Sequence, residues 1–313
     1  MDPAMPDRRT MMAALTLAGR APSRHNAQPW RWRVTEGAVH LYLDPRFSPF
    51  STDPESRDAS LGCGIVLHHL NVALAASGWA TVVRRLPDAS QPDLLASLRF
   101  VPHRATMLEI SLRAAITARH SDHRAYPMKP IPSGYLSLFR ERAAALGGIV
   151  RLVPDLDRER LAMPTGASLL VAGCDDRAML TARAAHDGPI GSAARLSPTE
   201  IGSPKSGTAK VVDCAELFVA ATPADDPLSR VRAGEAISAV LLTATNIGLA
   251  TCLLTEPLES RRAFLRTETL GGTAFPQALI RVGWAPDTGP APAMSPRRPI
   301  EDLLLPRVTD DGP

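Results

Sequence analysis

The sequence predicts an α+β protein made of two similar halves, each with antiparallel or mixed strands packed around one long buried helix. The first observation is a pair of long apolar segments, residues 60–77 and 230–247, each followed by a glycine. The second is that Gly64 and Gly234 occupy the same register in these segments. The third is composition: 45% hydrophobic and 21% charged residues in 313, which excludes a disordered chain.

The first half begins with a predicted helix over residues 7–20, with Asp7 as its N-cap and Gly19 near its end. Residues 30–34 and 39–43 are rich in β-forming residues and predict two strands joined by a turn. Residues 60–77 are apolar on nearly every side. Because a helix that is apolar all round must be enclosed by protein, this one is predicted to be central and buried.

The second half repeats this pattern. Residues 230–247 have apolar side chains at helical spacing, and Gly248 ends the segment as Gly78 ends the first one. A short strand is predicted after each glycine, and residues 98–102 faintly resemble residues 280–284. We interpret this as an internal duplication. The alternative is a chance similarity between two helices that happen to end at glycine.

The junction between the halves is predicted between residues 102 and 121, which gives halves 1–110 and 111–313. Residues 104–118 are expected to form the connecting helix. Residues 186–208 are rich in Gly, Ser and Pro, which is typical of a functional lid or a mobile excursion. Residues 284–299 are rich in proline and are expected to form a surface strap that leads to a last short element at 300–305.

Charge and apolar patterning exclude several classes of function. A formal charge of +3 is too small for a protein that neutralises many phosphates of a nucleic acid. No apolar run approaches the roughly 20 residues that span a bilayer, and residues 1–9 are not followed by an apolar signal segment. The four cysteines form no C-x-x-C pair, so we expect buried thiols in a reducing compartment. These features predict a cytoplasmic protein without nucleic-acid or membrane partners.

The loop at residues 21–30, Ala-Pro-Ser-Arg-His-Asn-Ala-Gln-Pro-Trp, is the most specific segment of the sequence. Its two prolines restrict the path of the chain. Ser23, Asn26 and Gln28 offer hydroxyl and amide groups that can recognise the edge of a heterocycle. Composition alone favours the alternative, a plain turn in which Ser and Asn bond their own backbone.

A second candidate is the segment 119–126, Arg-His-Ser-Asp-His-Arg-Ala-Tyr. Arginine forks and a hydroxyl suit a phosphate group, but a solvated basic loop explains the composition equally well. His120 and His123 lack a third residue in a recognised metal-binding pattern, so no metal site is predicted.

Other basic groups are weaker candidates. Arg297 and Arg298 lie between prolines, and Lys210 precedes a predicted strand at 216–221. Taken alone, each is expected to be solvated, as are the arginine pairs at 8–9, 84–85 and 261–262. The sequence contains neither a G-x-S-x-G elbow nor a Walker A loop. His68 and His69 lie on the buried helix and are expected to be packed rather than catalytic.

The pattern Ala-Pro-Ser-x-x-Asn-x-Gln-Pro-Trp at 21–30 resembles the signature of the nitroreductase-type FMN flavoproteins. The order of the later segments, 119–126, 232–236, 255–259 and 276–284, is most similar to that of their Acg branch. The resemblance covers most of residues 7–305. It implies a nitroreductase-like α+β fold, which normally dimerises with FMN at the interface. Because the Pro-Ser loop lies in one half and the Arg-Ser motif in the other, the duplication is interpreted as a fused pseudo-dimer with one complete site.

The resemblance also implies roles for individual residues. Phosphate contacts are expected from Arg119, His120, Ser121, Arg297 or Arg298, with Lys210 a weaker candidate. His123 stands where the family has a second arginine of its phosphate motif. The isoalloxazine ring is expected to lie against Pro22, Ser23, Arg24, Asn26 and Gln28, and its N5 near the backbone of Leu253, Leu254, Thr255 and Glu256.

The implied activity is reduction of nitroaromatics, quinones or similar small acceptors by NADH or NADPH, with no protein nucleophile required. One alternative is a non-catalytic protein that stores FMN under a lid at 186–208, since a covered flavin cannot stack on a nicotinamide. A weaker alternative is a flavoprotein that cleaves its own cofactor. The fused halves are expected to suffice as a monomer, although the sequence leaves a further homodimer open.

Overall fold

The computed structural model describes residues 5–44, 46, 56–161, 213–255, 258–287, 292 and 294–306. The helices in these ranges are α1 (Arg8–Ala18), α2 (Arg57–Ala75), α3 (Met107–Ala118), α4 (Ser133–Ala144), α5 (Asp155–Leu161), α6 (Pro227–Asn246), α7 (Leu258–Phe264) and α8 (Ile300–Leu303). The strands are β1 (Trp30–Thr35), β2 (Ala38–Leu43), β3 (Trp79–Arg85), β4 (Leu94–Pro102), β5 (Ile149–Leu152), β6 (Glu216–Thr222), β7 (Leu249–Leu254) and β8 (Phe275–Trp284).

The topology confirms the duplication. The first half runs α1-β1-β2-α2-β3-β4, and the second runs α4-β5-α5-β6-α6-β7-α7-β8, with α3 between them. The second half thus repeats the order of the first, with α5 and α7 added in two of its connections. Each half contains a four-stranded antiparallel sheet, in the order β1-β2-β4-β3 and β5-β6-β8-β7. Even a register shift recurs, in β2 between Leu41 and Tyr42 and in β6 between Ala220 and Ala221. Two copies of one α+β unit therefore make up the fold.

The two long helices form the centre of the molecule. Nearly every residue of α2 from Ala59 to Leu74 is buried, and α6 is buried from Ala233 to Ala244. One hydrophobic core joins these helices to both sheets. Apolar side chains can therefore surround each helix without facing water, which is the environment that their sequences require. The prediction of central buried helices is confirmed.

Local signals at the element ends also act as predicted. Asp7 caps α1 by accepting a hydrogen bond from the Thr10 N–H at 2.8 Å. Gly78 and Gly248 follow α2 and α6 with φ angles of +88° and +85°, a conformation that glycine adopts without steric cost. The connecting helix predicted at 104–118 is α3, and the last predicted element is α8.

Three expectations need correction. Cys63 and Cys252 are buried, but Cys214 is only partly buried. Arg85 is not a solvated surface residue, because its guanidinium forms two hydrogen bonds with the fully buried Glu235, at 2.6 and 2.8 Å. Arg262 is partly buried and donates to the Pro276 carbonyl, and burial lowers its pKa. The partner of Arg85 is 150 positions away in the sequence, and that of Arg262 is 14 positions away.

Some predictions lie outside the described residues: the proposed lid at 186–208, Lys210, Glu256 and Cys174. In the described ranges, no helix combines the length and apolar character that crossing a bilayer requires.

Candidate functional site

The loop between α1 and β1 follows a strained path. His25, Asn26 and Gln28 have φ angles of 50°, 55° and 48°, in the left-handed region that side chains with a Cβ disfavour. Such residues concentrate at functional sites, where surrounding contacts hold them in place. Ser23 supplies one contact, because its hydroxyl accepts a hydrogen bond from the Gln28 N–H at 2.9 Å. Ser23 thus behaves as the plain-turn alternative predicts.

Asn26 and Gln28 instead bond a distant segment near the C-terminus. The Asn26 side-chain amide donates to the Pro296 carbonyl at 2.9 Å, and its oxygen accepts from Arg297 Nη1 at 3.0 Å. The Gln28 side chain is almost fully buried and accepts from the Arg298 N–H at 2.9 Å. The strap around residue 296 therefore forms one wall of the site, and its backbone is tied to the loop.

Three arginines meet beside this wall: Arg20, Arg119 and Arg297, here called the arginine cluster. The main-chain carbonyl of Arg20 accepts hydrogen bonds from Arg297 Nη2 at 3.1 Å and from Arg119 Nη2 at 3.4 Å. Arg20 itself donates from Nη2 to the Thr117 carbonyl at 3.1 Å, in the last turn of α3. The cluster thus unites the first half, the start of the second half and the C-terminal strap.

Arg119 is the most deeply placed member, with 5% of its surface exposed. No described carboxylate forms an ion pair with it, and its Nε has no hydrogen-bond partner among the described residues. Burial, together with the positive charges of Arg297 and Arg20, lowers the pKa of Arg119 to about 10. A buried cation without a counter-ion is costly, so this position suits an anionic ligand group.

Segment 119–126 is positioned by β7. The Asp122 N–H donates to the Thr251 carbonyl at 2.9 Å, beside a backbone bridge between Ser121 and Thr251. Asp122 is fully buried, and its carboxylate pairs with Arg124 at 2.7 Å. The charge of Arg124 is neutralised by Asp122 within the same segment. No described carboxylate does this for Arg119.

His123 and His120 make other contacts. The ring of His123 lies against the thiol of Cys252, with Nδ1 3.4 Å from Sγ, and His120 Nδ1 lies 3.1 Å from the Ala118 carbonyl. Arg298 extends its side chain toward the Asp302 carbonyl. These three predicted phosphate residues lie close to Arg119 or Arg297 in sequence, and the contacts given above join their side chains to Cys252, Ala118 and Asp302.

Asp58, in the first turn of α2, joins the loop to the second half. Its Oδ2 accepts from Arg24 Nη1 at 2.7 Å and from the Thr255 hydroxyl at 3.1 Å. The side chains of Arg24 and Asp58 are each only 10% exposed. Since Thr255 directly follows β7, one carboxylate ties the predicted ring-binding loop to the predicted Leu253–Thr255 backbone stretch.

Sequence reasoning missed two residues of this arrangement. Asp58 carries no motif signal, because only the fold brings it to both Arg24 and Thr255. Arg20 immediately precedes the Ala-Pro-Ser signature, and this adjacency was an available signal. Pro22 lies in the loop of Arg24, and Leu254 immediately precedes Thr255. Their roles at the flavin stay predictions.

No protein-family model matches the chain. It is 38% identical over 324 residues to the Mycobacterium tuberculosis H37Rv protein named "Putative NAD(P)H nitroreductase Rv3131", with 97% of this chain and 93% of the relative covered. It is 34% identical over 323 residues to "Putative NAD(P)H nitroreductase acg" of the same strain, with 95% and 96% covered.

A solved structure extends the similarity to the fold. The crystal structure of a "putative nitroreductase" from Anabaena variabilis matches 90% of this chain and 90% of its own, with a TM-score of 0.56 at 8% identity. At this identity the match bears on architecture alone. Because it covers both halves of the present chain, it supports the duplicated arrangement.

Proposed function

Since the chain belongs to the nitroreductase family, in the branch of the Acg proteins, we propose that it is an FMN-dependent oxidoreductase that uses NADH or NADPH. The proposed acceptors are nitroaromatics, quinones or similar small molecules. One observation carries the proposal: Asn26 of the loop contacts Arg297, which shares the Arg20 carbonyl with the buried Arg119. Asn26, which is proposed to bind the ring, and the arginines, which are proposed to bind the phosphate, are thereby joined in one site.

The arginine cluster fits the phosphate of FMN. Arg119 is buried, with no carboxylate partner among the residues that the structure describes, and guanidinium groups bind phosphate oxygens in a bidentate manner. We propose phosphate contacts from Arg119, Ser121 and Arg297, and retain His120, His123, Arg298 and Lys210 as second-rank candidates. Pro22, Ser23, Arg24, Asn26 and Gln28 are proposed to line the ring.

Bound FMN would supply the redox chemistry, taking a hydride from the nicotinamide and passing electrons to the acceptor. The residues of the chain itself would orient the flavin and stabilise its reduced form. Backbone donors at Leu253, Leu254, Thr255 and Glu256 would stabilise negative charge on the reduced ring. Asp58 holds Arg24 and Thr255 together, so it would keep the loop and this stretch in register. No side chain needs to act as a nucleophile.

We propose one site per chain, in a pseudo-dimer whose halves are residues 1–110 and 111–313. The division falls within α3, which links the repeats. Residues 19–29 separate α1 from β1, whereas only residues 145–148 separate α4 from β5, so the second half has no equivalent of the Pro-Ser loop. At the position matching Thr255, Arg85 is engaged by the buried Glu235. This scheme needs no second copy of the chain.

The proposed activity is tested by loading the purified protein with FMN and adding NADH or NADPH under anaerobic conditions. We expect the flavin absorbance near 450 nm, a region characteristic of oxidised flavin, to bleach before any acceptor is added and to recover when a quinone is supplied. A flavin that dithionite reduces but neither nucleotide reduces would contradict the oxidoreductase and indicate FMN storage. Failure to bind FMN at all would contradict both functions.

A further inference from the structure

We propose that Arg20 is a third phosphate-binding residue and that it determines the preference of this site for a flavin with a terminal phosphate. The inference rests on the proposed FMN function and deepens it. Arg20 is outside the Pro-Ser loop and outside the Arg-Ser motif, so neither motif assigns it a role. We assign the role to Arg20 from its position at the centre of the arginine cluster.

Arg20 organises the cluster through its backbone. Its carbonyl accepts from both Arg119 and Arg297, which brings the two guanidinium groups to the same point from different parts of the chain. Its own guanidinium uses Nη2 for the Thr117 carbonyl and the Met294 Sδ, while its buried Nε makes no hydrogen bond within the described residues. The side chain therefore retains donor capacity.

The charge around Arg20 is unbalanced. Several other arginines of low exposure have acidic partners: Arg24 pairs with Asp58, Arg124 with Asp122 and Arg281 with Asp213. Neither Arg20 nor Arg119 has an ion pair with a described carboxylate. The two positive charges are close enough for Arg20 to lower the pKa of Arg119. A ligand with two negative charges offsets this repulsion better than a ligand with one.

His69 reinforces the argument for an anionic ligand. It lies on α2 and is 0% exposed, and the backbone of Ala18 is the one group among the described residues beside it that favours a proton on the ring. Burial lowers its pKa well below the usual range, and Arg119, His68 and Arg297 lower it further. The imidazole is therefore neutral and adds no positive charge. It also provides no negative charge, so His69 is not a counter-ion for the arginine cluster.

A phosphate monoester matches these features. At neutral pH it has close to two negative charges and three oxygens free to accept hydrogen bonds, enough for three guanidinium groups. Riboflavin lacks the group entirely, and FAD presents a diphosphate esterified on both sides. Arg20 is therefore expected to contribute to FMN affinity and to contribute nothing to riboflavin affinity.

The test is a comparison of dissociation constants for FMN and riboflavin, by fluorescence titration of the full chain. The variants are Arg20→Met, which removes the charge, and Arg20→Lys, which keeps a charge but loses the fork. Arg99→Met, an exposed residue of β4, controls for the loss of one long-range positive charge. Thermal melts of the flavin-free proteins check folding.

We expect Arg20→Met to weaken FMN binding about 10- to 100-fold, the scale of a charge-assisted hydrogen bond, and Arg20→Lys to weaken it less. Riboflavin binding should change less than twofold in both, and Arg99→Met should match the wild type. Inorganic phosphate should compete with FMN in the wild type and less well in Arg20→Met. If Arg20→Met binds FMN like Arg99→Met, or loses FMN and riboflavin affinity equally, the inference is wrong while the proposed function stands. If the wild type binds no FMN, the proposed function itself is wrong.

Discussion

Gly64 and Gly234, which occupy equivalent positions in the two repeats, face each other where α2 and α6 cross. A Cβ placed on Gly64 would lie 2.9 Å from the Gly234 Cα and closer still to the Val231 carbonyl oxygen. A Cβ on Gly234 would lie 2.8 Å from the Gly64 Cα. The helix backbones are therefore in direct contact, and the contact is made by the same position of the repeat in both halves.

Gly64→Ala is expected to destabilise the protein by about 2–3 kcal/mol, because the helices must separate to admit a methyl group into a filled core. The free energy of unfolding, measured by urea titration, checks this. Gly134→Ala is the matched control, since a Cβ at Gly134 meets nothing within 4 Å. Alanine is also the better helix former, so this control should be neutral or slightly stabilising. Equal effects of the two changes would contradict the close approach of the helices.

Arg119→Met is expected to have opposite effects on stability and on FMN binding. The flavin-free protein should gain about 1–3 kcal/mol, since a buried cation without a carboxylate partner is removed. FMN binding should lose about 1.5–3 kcal/mol, the scale of a hydrogen bond to a charged group. Urea titration and flavin titration measure the two quantities. Unchanged FMN affinity would remove Arg119 from the phosphate site.

Asp58→Asn is expected to weaken the binding of FMN and riboflavin alike, by about tenfold, a loss of about 1.4 kcal/mol. The change removes the charge that holds Arg24 and weakens the hydrogen bond from Thr255, so it loosens the ring-binding loop rather than the phosphate site. Thr255→Val should produce part of the same loss. A selective loss of FMN affinity, with riboflavin unaffected, would show that Asp58 acts through the phosphate instead.

Stability is expected to fall as the pH drops from about 7 to 5. Burial lowers the pKa of His68 from 6.5 to about 4, while His68 Nδ1 lies 2.8 Å from the Ser238 hydroxyl. The unfolded chain takes up a proton near pH 6.5 and the folded chain only near pH 4, so protonation favours unfolding in this window. His68 should account for about 1–2 kcal/mol of the loss. Urea titrations of His68→Gln should show a correspondingly weaker pH dependence; an unchanged slope would assign the effect elsewhere.

Many of the helices and strands were predictable because each is encoded by neighbouring residues, although α4, β5, α5 and α7 were not predicted. The Asp7 cap, the left-handed Gly78 and Gly248 and the apolar faces of α2 and α6 act within a few residues of their own positions. The 170-residue spacing of the glycines also predicted the repeat. Helix ends shifted by a few residues, as α2 does by beginning at Arg57 rather than residue 60, because helix ends are less sharply defined than helix interiors.

The site was predictable only in part. The Pro-Ser loop and the Arg-Ser segment are visible as motifs, and the structure joins Asn26 to the cluster that contains Arg119. The sequence did not show which of Arg297 and Arg298 joins the arginine cluster. In the structure Arg297 donates to the Arg20 carbonyl, while the Arg298 side chain donates to the Asp302 carbonyl. Likewise Arg85 looked like surface charge until the fold placed Glu235 beside it.

The sequence by itself determined the α+β class, the repeat and the family, because hydrophobic period, glycine spacing and motif order are properties of a linear chain. Only the tertiary structure decided which arginines have acidic partners and which are left with an unbalanced charge. The reason is physical: electrostatic and hydrogen-bond energies depend on distances across the fold. Asp58 and Thr255, separated by 197 positions, lie within hydrogen-bond reach, and nothing local to either residue encodes that contact.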